Sequence, residues 1–393
     1  MTLSTGRRVG PLSGVRVLDL THVLNGPFCT MLLAHMGADV IKIEHGAGDR
    51  FRHSWMPTDA DRDGYESLVV NANKRCITLN LKDSRGGELF ERLVAESDVV
   101  VENFSVGVMD RLGYGYDRLQ QINPRIVYAR SSGYGNDGPY ADVPAFAVTI
   151  MAMSGWTDSA WKNSGHPGSK PLGMGDEAAG ISMALGICAA LVERERTGKG
   201  SSLDVSMQEA QMGFMVSSFH TLFEKQDVAT VPAQCVDGYV SFHMPDLDDR
   251  RWSRFCTSMG HPEGIDDPLF TTVADRRTNF AQLMDRVRKW VRERTRNELW
   301  ETFRTEKIPG APVLGLDEVI EDDHIRKRGA FLAVDHPEAG RLTMLRPWIR
   351  FDGHDTTIRH AGPAIGEHNE EVFGELFAMS TEDVQRLSAE GVL

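Results

Sequence analysis

The chain has 393 residues, 41% hydrophobic and 25% charged, and a formal net charge of −13. That is enough apolar material for a sizeable core and a length for two or three domains, and the ordinary composition excludes disordered, collagenous and disulfide-scaffold classes. The acidic balance argues against nucleic acid as a partner, since the densest basic run, Arg286 to Arg296, alternates with apolar residues like one face of a helix.

The opening pattern is the best organised. Val15 to Leu20 reads as a buried strand, Asn25-Gly26-Pro27 as a turn, and Phe28 to Met36 as a helix. Pro27 suits the first position of that helix, where its missing N–H is not needed, and Gly37 suits its C-terminal stop. Asp39 to Glu44 is the next strand. Strand, helix, strand in this length predicts a βαβ unit and a parallel sheet. Cys76 to Leu81, Asp98 to Val101 and Ile126 to Ala129 continue as strands. Gly86 to Glu96, Val108 to Leu112 and Tyr116 to Ile122 continue as helices. The whole predicts a doubly wound α/β domain.

Ile181 to Arg196 reads as a helix. Its apolar stretch Ile181 to Val192 is too short to span a bilayer, so no membrane association is expected. From Phe223 to Gln234 the chain is polar without a clear period. Gly238 to Phe242 is a strand, helical patterns run from Arg250 to Thr305, Phe331 to Ile349 is strand-like, and a final helix lies near Glu370 to Met379. A smaller α-rich domain is placed at residues 227–321, between a large N-terminal part, 1–226, and a C-terminal segment, 322–393.

Five widely spaced cysteines without a CxxC pair argue against a disulfide framework and a zinc knuckle. No apolar segment follows the arginines of Met1 to Gly10, so no secretory signal is expected, and a cytoplasmic location is the default. GxGxxG is absent after the first strand, and so are the phosphate-loop, HExxH and GxSxG frames. Nicotinamide, metal and common serine-hydrolase chemistry therefore have no motif here, and no metal ligands are assigned.

One carboxylate stands out, in Gly173-Met174-Gly175-Asp176-Glu177-Ala178-Ala179-Gly180. Asp176 is expected at a helix N-terminus. There it could simply cap the helix, or it could act as a nucleophile kept ionised by the helix dipole, and one Asp can do both. Small residues Ala178, Ala179, Gly180 and Ala184 leave room for another backbone or a ligand. Ligands of open parallel sheets bind beyond the carboxyl ends of strands, which places Asn103, Phe104 and Arg111 for binding. Phe104 could stack on a base and Arg111 pair with a phosphate. The plain alternative is a turn Asn, a core Phe and a solvated Arg. His22 in the first turn reads as structural, and Gly366-Glu367-His368 as a site contributor or a cap of the last helix.

Several blocks in one order carry a resemblance over nearly the whole chain. They include Pro11 to Asp19, Gly37 to Glu44, Asn73-Lys74-Arg75, Val101 to Phe104, Gly133 to Tyr140 and Gly175-Asp176. Arg196 to Gly200, Ile308 to Val313 and Gly366-Glu367-His368 complete the set. With these the chain resembles the class III CoA-transferase family, also called CaiB/BaiF, which includes formyl-CoA:oxalate CoA-transferase and acyl-CoA racemases. The resemblance implies transfer of coenzyme A from an acyl-CoA donor to a free carboxylic acid. Asp176 would form an acyl-aspartyl anhydride and then an aspartyl-CoA thioester, with acyl-CoA as substrate and no tightly bound cofactor.

It also implies a Rossmann-like large domain built from both chain ends, a smaller domain, and an interlocked homodimer. Val23, Leu24 and Asn25 would line CoA near the first turn, and Leu79 and Lys82 match adenine- or phosphate-side positions. Asn103, Phe104 and Arg111 match the pocket around the nucleotide and pantetheine. His45 stands where relatives often carry an arginine. Pro144-Ala145-Phe146-Ala147 lacks the Tyr-Asp or His-Asp pair common there, and Met151 replaces a frequent Gln, which implies a changed acyl pocket. Phe146 cannot exchange a proton, which disfavours α-carbon racemisation. A racemase, and a CoA-binding member that has lost catalysis, are the alternatives. The glycine-rich lid of the formyl-CoA enzyme is not visible near Gln234 to Gly238, so oxalate or formate specificity is not expected.

Overall fold

Six parallel strands form the main sheet: β1 (Arg16–Asp19), β2 (Asp39–Glu44), β3 (Arg75–Thr78), β4 (Val99–Glu102), β5 (Val127–Ser132) and β6 (Ser202–Ser206). Their order is β3-β2-β1-β4-β5-β6, so the winding reverses between β1 and β4. The computed structural model describes residues 10–53, 63–164, 174–224, 232–242 and 248–393. The chain divides into two compact units. The first holds Met1–Lys162, His166–Phe219 and His324–Leu393; the second holds Asn163–Gly165 and His220–Asp323.

In the first unit the period-2 alternation of short apolar strands feeds two cores. Val17, Val40, Val99, Val101 and Val127 face helix Asn25–His35 and the buried Met183, Ala184 and Ile187 of helix Met174–Thr197. Leu18, Ile41, Ile77, Val100 and Tyr128 face the other way. They meet Leu89, Phe90 and Leu93 of helix Ser84–Ala95 and the C-terminal Val372, Phe373 and Leu393. Each such side chain contributes ~1.5–3 kcal/mol by leaving water. Helix Asn25–His35 starts two residues before Pro27, which still falls within the first turn, where its missing N–H breaks no bond. Gly37, at φ +96°, ends the helix. Its N–H bonds the Ala34 carbonyl at 3.0 Å and the Ala38 N–H bonds that of Leu33 at 3.1 Å, a Schellman closure.

Helix Met174–Thr197 corrects one expectation. It begins before Asp176, which therefore lies inside the first turn rather than at the cap. Leu185 and Val192 on its outer face are 71% and 74% exposed. Among the elements that escaped the sequence reading are edge strand β6 and helices Tyr65–Val70, Ala147–Met153, Met207–Gly213 and Thr381–Ala389. Strand-like residues 331–349 form a hairpin, Phe331–His336 with Gly340–Leu345, whose Val334 and Met344 pack on Leu68 and Ile358. His368 neither lines the cavity described below nor caps its helix through its side chain. Its Nδ1 accepts the Cys76 N–H at 3.2 Å, fastening the C-terminal segment to β3.

The second unit has a three-stranded antiparallel sheet of Ala233–Cys235, Gly238–Phe242 and Gly310–Pro312. Trp252, Phe255, Trp290 and Phe303 from its helices fill the core. Part of the polar stretch 223–234 lies outside the described residues.

Candidate active site

Ligand crevices of doubly wound sheets open beyond the strand ends where the winding reverses. Here that point lies between the ends of β1 and β4, and an open cavity of about 490 Å³ sits there. Its wall includes His22, Val23 and Asn25 after β1, Asn103 to Val106 after β4, and Ser131 to Gly133 at the end of β5. Gly48 to Arg50, Ala141 to Phe146, Asp176 and Met207 complete it.

The floor under β1 is a buried polar knot. Asp19 accepts from the Thr21 hydroxyl, from the Thr30 hydroxyl at 2.6 Å and from Lys74 Nζ at 2.9 Å. Burial pushes its carboxyl upward, but the charges of Lys74 and Lys42 and both hydroxyl bonds outweigh that and hold it well below the usual range. Lys42 Nζ donates to the Thr21 carbonyl, and Lys74 Nζ to that of Pro27 at 3.1 Å. The chain between strand and helix is thus fixed from below.

Above the knot, Val23 has φ +64°, a left-handed conformation that a β-branched residue adopts only under constraint. Such strain is worth ~1–3 kcal/mol and needs external bracing. The braces are present. The Val23 N–H donates to Asp49 Oδ2 at 2.7 Å, the His22 N–H to Asn103 Oδ1 at 2.7 Å, and Asn103 Nδ2 to the His22 carbonyl at 2.9 Å. Asn103, expected to touch a ligand, spends its amide on this turn.

Phe104 packs against His22, ring centroids 5.0 Å apart. Its N–H donates to Glu102 at 2.7 Å, and the other Glu102 oxygen accepts the Tyr128 hydroxyl at 2.9 Å. Burial dominates there and pushes the Glu102 carboxyl up to about 7. Asn25 is buried, donates through Nδ2 to Ser131 Oγ at 2.9 Å, and keeps Oδ1 without a partner among the described residues.

Asp176 reaches the cavity because two helices approach closely. A Cβ on Gly180 would stand 2.8 Å from the Asn25 carbonyl oxygen, nearer than Cβ atoms normally come, so only glycine permits the contact. The half-buried Asp176 then lies in the wall beside a mainly apolar stretch that includes Val143, Ala145 and Phe146. Burial, with Glu177 next to it, pushes its carboxyl up to about 7. The expectation that the helix terminus keeps it ionised is corrected, because desolvation prevails in this wall. A carboxylate so placed is half ionised near neutrality and poorly solvated, which suits attack on a carbonyl or transfer of a proton.

The cavity thus gathers Val23, Asn25, Asn103, Phe104 and Asp176 from the sequence expectations. Leu24, Leu79, Lys82 and Arg111 do not line it. Leu79 is 2% exposed in the core between sheet and helix, so its side chain offers no surface to a ligand. Lys82 is exposed, and Arg111 Nη1 lies 3.4 Å from the Val106 carbonyl. Sequence reasoning missed Asp49, Arg50, Ser131 and Met207. It also missed Gln211, fully buried beside Gly175, with neither amide atom bonded among the described residues. The glycine-rich His45-Gly46-Ala47-Gly48 turn that leads from a strand to Asp49 and Arg50 was a readable signal for the first two. Among the described residues no group of His, Cys, Asp and Glu could hold a metal ion.

Comparisons with known proteins agree with this layout. The profile of CoA-transferase family III matches residues 12–369. A formyl-CoA:oxalate CoA-transferase of Streptomyces avermitilis is 33% identical over 97% of this chain and 99% of its own length. The beta subunit of succinyl-CoA–L-malate CoA-transferase of Chloroflexus aurantiacus is 32% identical over 98% of each. The crystal structure of a CaiB/BaiF family protein from Brucella suis superposes with a TM-score of 0.80 at 28% identity, covering 94% of this chain and 100% of that one. With its switch-point cavity and a profile match from Leu12 to Asn369, the chain belongs to CoA-transferase family III.

Proposed function

We propose that this protein moves coenzyme A from an acyl-CoA to a free carboxylic acid, with Asp176 as the nucleophile. The observation that carries the reading is Asp176, a poorly solvated carboxylate in the wall of the switch-point cavity of a family III chain. An Asp176 oxygen attacks the thioester carbonyl, and the C–S bond breaks with its electron pair leaving on the CoA sulfur. The thiolate then attacks the aspartyl carbonyl of the anhydride and expels the donor acid as a carboxylate. The acceptor carboxylate attacks the resulting aspartyl-CoA thioester, and the thiolate returns once more to the acceptor's carbonyl, freeing Asp176. Keeping the thiolate in the cavity makes each return step effectively intramolecular.

Several further features belong to this reading. CoA lies along the strand ends, over the braced turn at Val23 and the Phe104 ring, as substrate rather than as a resident cofactor. The enzyme works in the cytoplasm as an interlocked homodimer. The exposed Leu185 and Val192 of helix Met174–Thr197, and Phe214 and Val216 at 58% and 69% exposed, are apolar surface that a second copy would cover. Residues 1–226 and 322–393 form the large domain and 227–321 the small one.

Asp176→Asn separates binding from chemistry. It abolishes transfer while CoA still protects the fold thermally. Undiminished transfer by this variant overturns the reading. An acyl-CoA racemase is the second reading, favoured by the same carboxyl near 7, which suits proton transfer. Deuterium wash-in at the α-carbon of a 2-methylacyl-CoA distinguishes the two.

A further inference from the structure

Among the described residues, the wall of the switch-point cavity carries one Lys or Arg, Arg50. It opens the short helical turn Arg50–His53, whose start Asp49 fixes. One Asp49 oxygen accepts the Phe51 N–H at 3.0 Å and the other the Val23 N–H at 2.7 Å. Arg52, two residues on, is buried and pairs with Glu44 at 2.8 Å. Arg50 is exposed and has no carboxylate partner among the described residues. Its charge does not offset the upward push on Asp176 either, so the two line one cavity without pairing. A bare guanidinium in a concave wall attracts anions and binds them through charge-assisted hydrogen bonds.

Two anions of a transfer reaction could meet it, a CoA phosphate or the carboxylate of a free acid. The placement of the turn favours the acid. Asp49 ties the Arg50 turn to Val23, two residues before Asn25, and the Asn25 carbonyl is where the Asp176 helix makes its close approach at Gly180. Lys82 and Arg111, the cations expected on the nucleotide side, lie outside this wall. Resting on the transferase reading above, we infer that Arg50 docks the carboxylate of the incoming acid for attack on the aspartyl-CoA thioester. One carboxylate oxygen pairs with the guanidinium. The other forms a C–O bond to the Asp176 acyl carbon as the C–S bond breaks, its electron pair leaving on sulfur. The guanidinium gives up no proton, and the negative charge passes from acid to thiolate. Loading Asp176 with CoA removes its own negative charge from the cavity. Of the other two lining carboxylates, Asp142 and Asp49, the latter is already held by backbone N–H groups. The acid therefore meets Arg50 with least competition once the thioester has formed.

The full chain is assayed with acetyl-, hexanoyl- and succinyl-CoA as donors and with acetate, hexanoate, oxalate and malate as acceptors, and KM is measured separately for ester and acid. Arg50→Gln is expected to raise KM for the acid at least about tenfold, the scale of one hydrogen bond to a charged group. KM for the ester, and formation of the hydroxylamine-trapped Asp176 adduct from donor alone, are expected to stay unchanged. Arg50→Lys keeps the charge without the planar fork and is expected to fall between. A raised KM for the ester with that for the acid unchanged overturns the inference, because the guanidinium then holds CoA. An equal rise in both, or no change in either, also overturns it, and all three leave the transferase reading standing. Absence of an Asp176 adduct in the unaltered protein with every donor removes both.

Discussion

Asn103 forms a two-bond clasp with the backbone of His22, accepting its N–H at 2.7 Å and donating to its carbonyl at 2.9 Å. The clasp joins the ends of β4 and β1, the two strands that flank the cavity, and holds the residue before the strained Val23. Asn103→Ala removes both bonds and leaves two partly buried backbone groups to find water. The expected loss is ~1–3 kcal/mol of unfolding free energy in urea denaturation, with a raised KM for the CoA ester. An unchanged KM would show that the turn keeps its shape without the clasp.

Gly180 sets how near the Asp176 helix comes to the Asn25 turn. Gly180→Ala puts a methyl group 2.8 Å from the Asn25 carbonyl oxygen, so the helices must separate. Overpacking of this kind is expected to destabilise by ~1–3 kcal/mol. The separation also withdraws Asp176 from the strand ends, so kcat is expected to fall at least about tenfold, because small misplacements of reacting groups are expensive. Steady-state kinetics beside a denaturation curve distinguish this from simple destabilisation. A destabilised variant with full kcat would contradict the positional role.

The raised Asp176 carboxyl makes both activity and stability depend on pH. Its folded-state pKa of about 7 lies above the ordinary aspartate value of 3.8. Between those values the folded protein binds the extra proton. The stabilising contribution is therefore complete below about pH 4 and is lost as pH rises through about 7. Asp176→Asn is expected to flatten that slope and to leave the variant more stable at pH 8, by ~1–2 kcal/mol after allowance for solvent screening at a partly exposed group. Glu102, also raised to about 7, keeps a residual slope of the same sign. For transfer, kcat/KM is expected to rise with pH through about 7 as the nucleophile ionises in the free enzyme. A profile flat from pH 5 to pH 9 would be inconsistent with this.

Gln211 is fully buried with both amide atoms unbonded among the described residues, its Oε1 3.4 Å from the place a Cβ of Gly175 would occupy. An unpaired buried polar group is unfavourable by ~1–3 kcal/mol. Gln211→Met keeps the volume and removes the amide, so a gain of ~1 kcal/mol in unfolding free energy is expected. A loss of similar size would show that the amide is bonded in solution.

Much of the sheet was legible because its strands are short runs of buried, mostly apolar residues closed by turn residues, as in β1 to Gly37. Edge strand β6 was not. Ser202 and Asp204 alternate with Leu203 and Val205, giving a pattern as polar as a loop's. Helix Thr381–Ala389 escaped for a related reason: it is capped by Ser380 and rich in charge, with only Val384 buried. Asp176 stood out from its glycine surroundings. Its ionisation was misread because the sequence shows a helix start but not the wall that buries it. Asp49 and Arg50 could not be joined to Asn103 and Asp176 in advance, since strand order brings their loops together. Asn103 was legible as a site residue, but its work on the His22 backbone needs the neighbouring strand end to be seen.

The most direct test is chemical. The protein is incubated with hexanoyl-CoA, trapped with hydroxylamine or borohydride, digested, and the peptide containing Asp176 is weighed. A hydroxamate or alcohol is expected at Asp176, dependent on the thioester and missing in Asp176→Asn. An unmodified Asp176 peptide recovered while CoA transfer proceeds would contradict it.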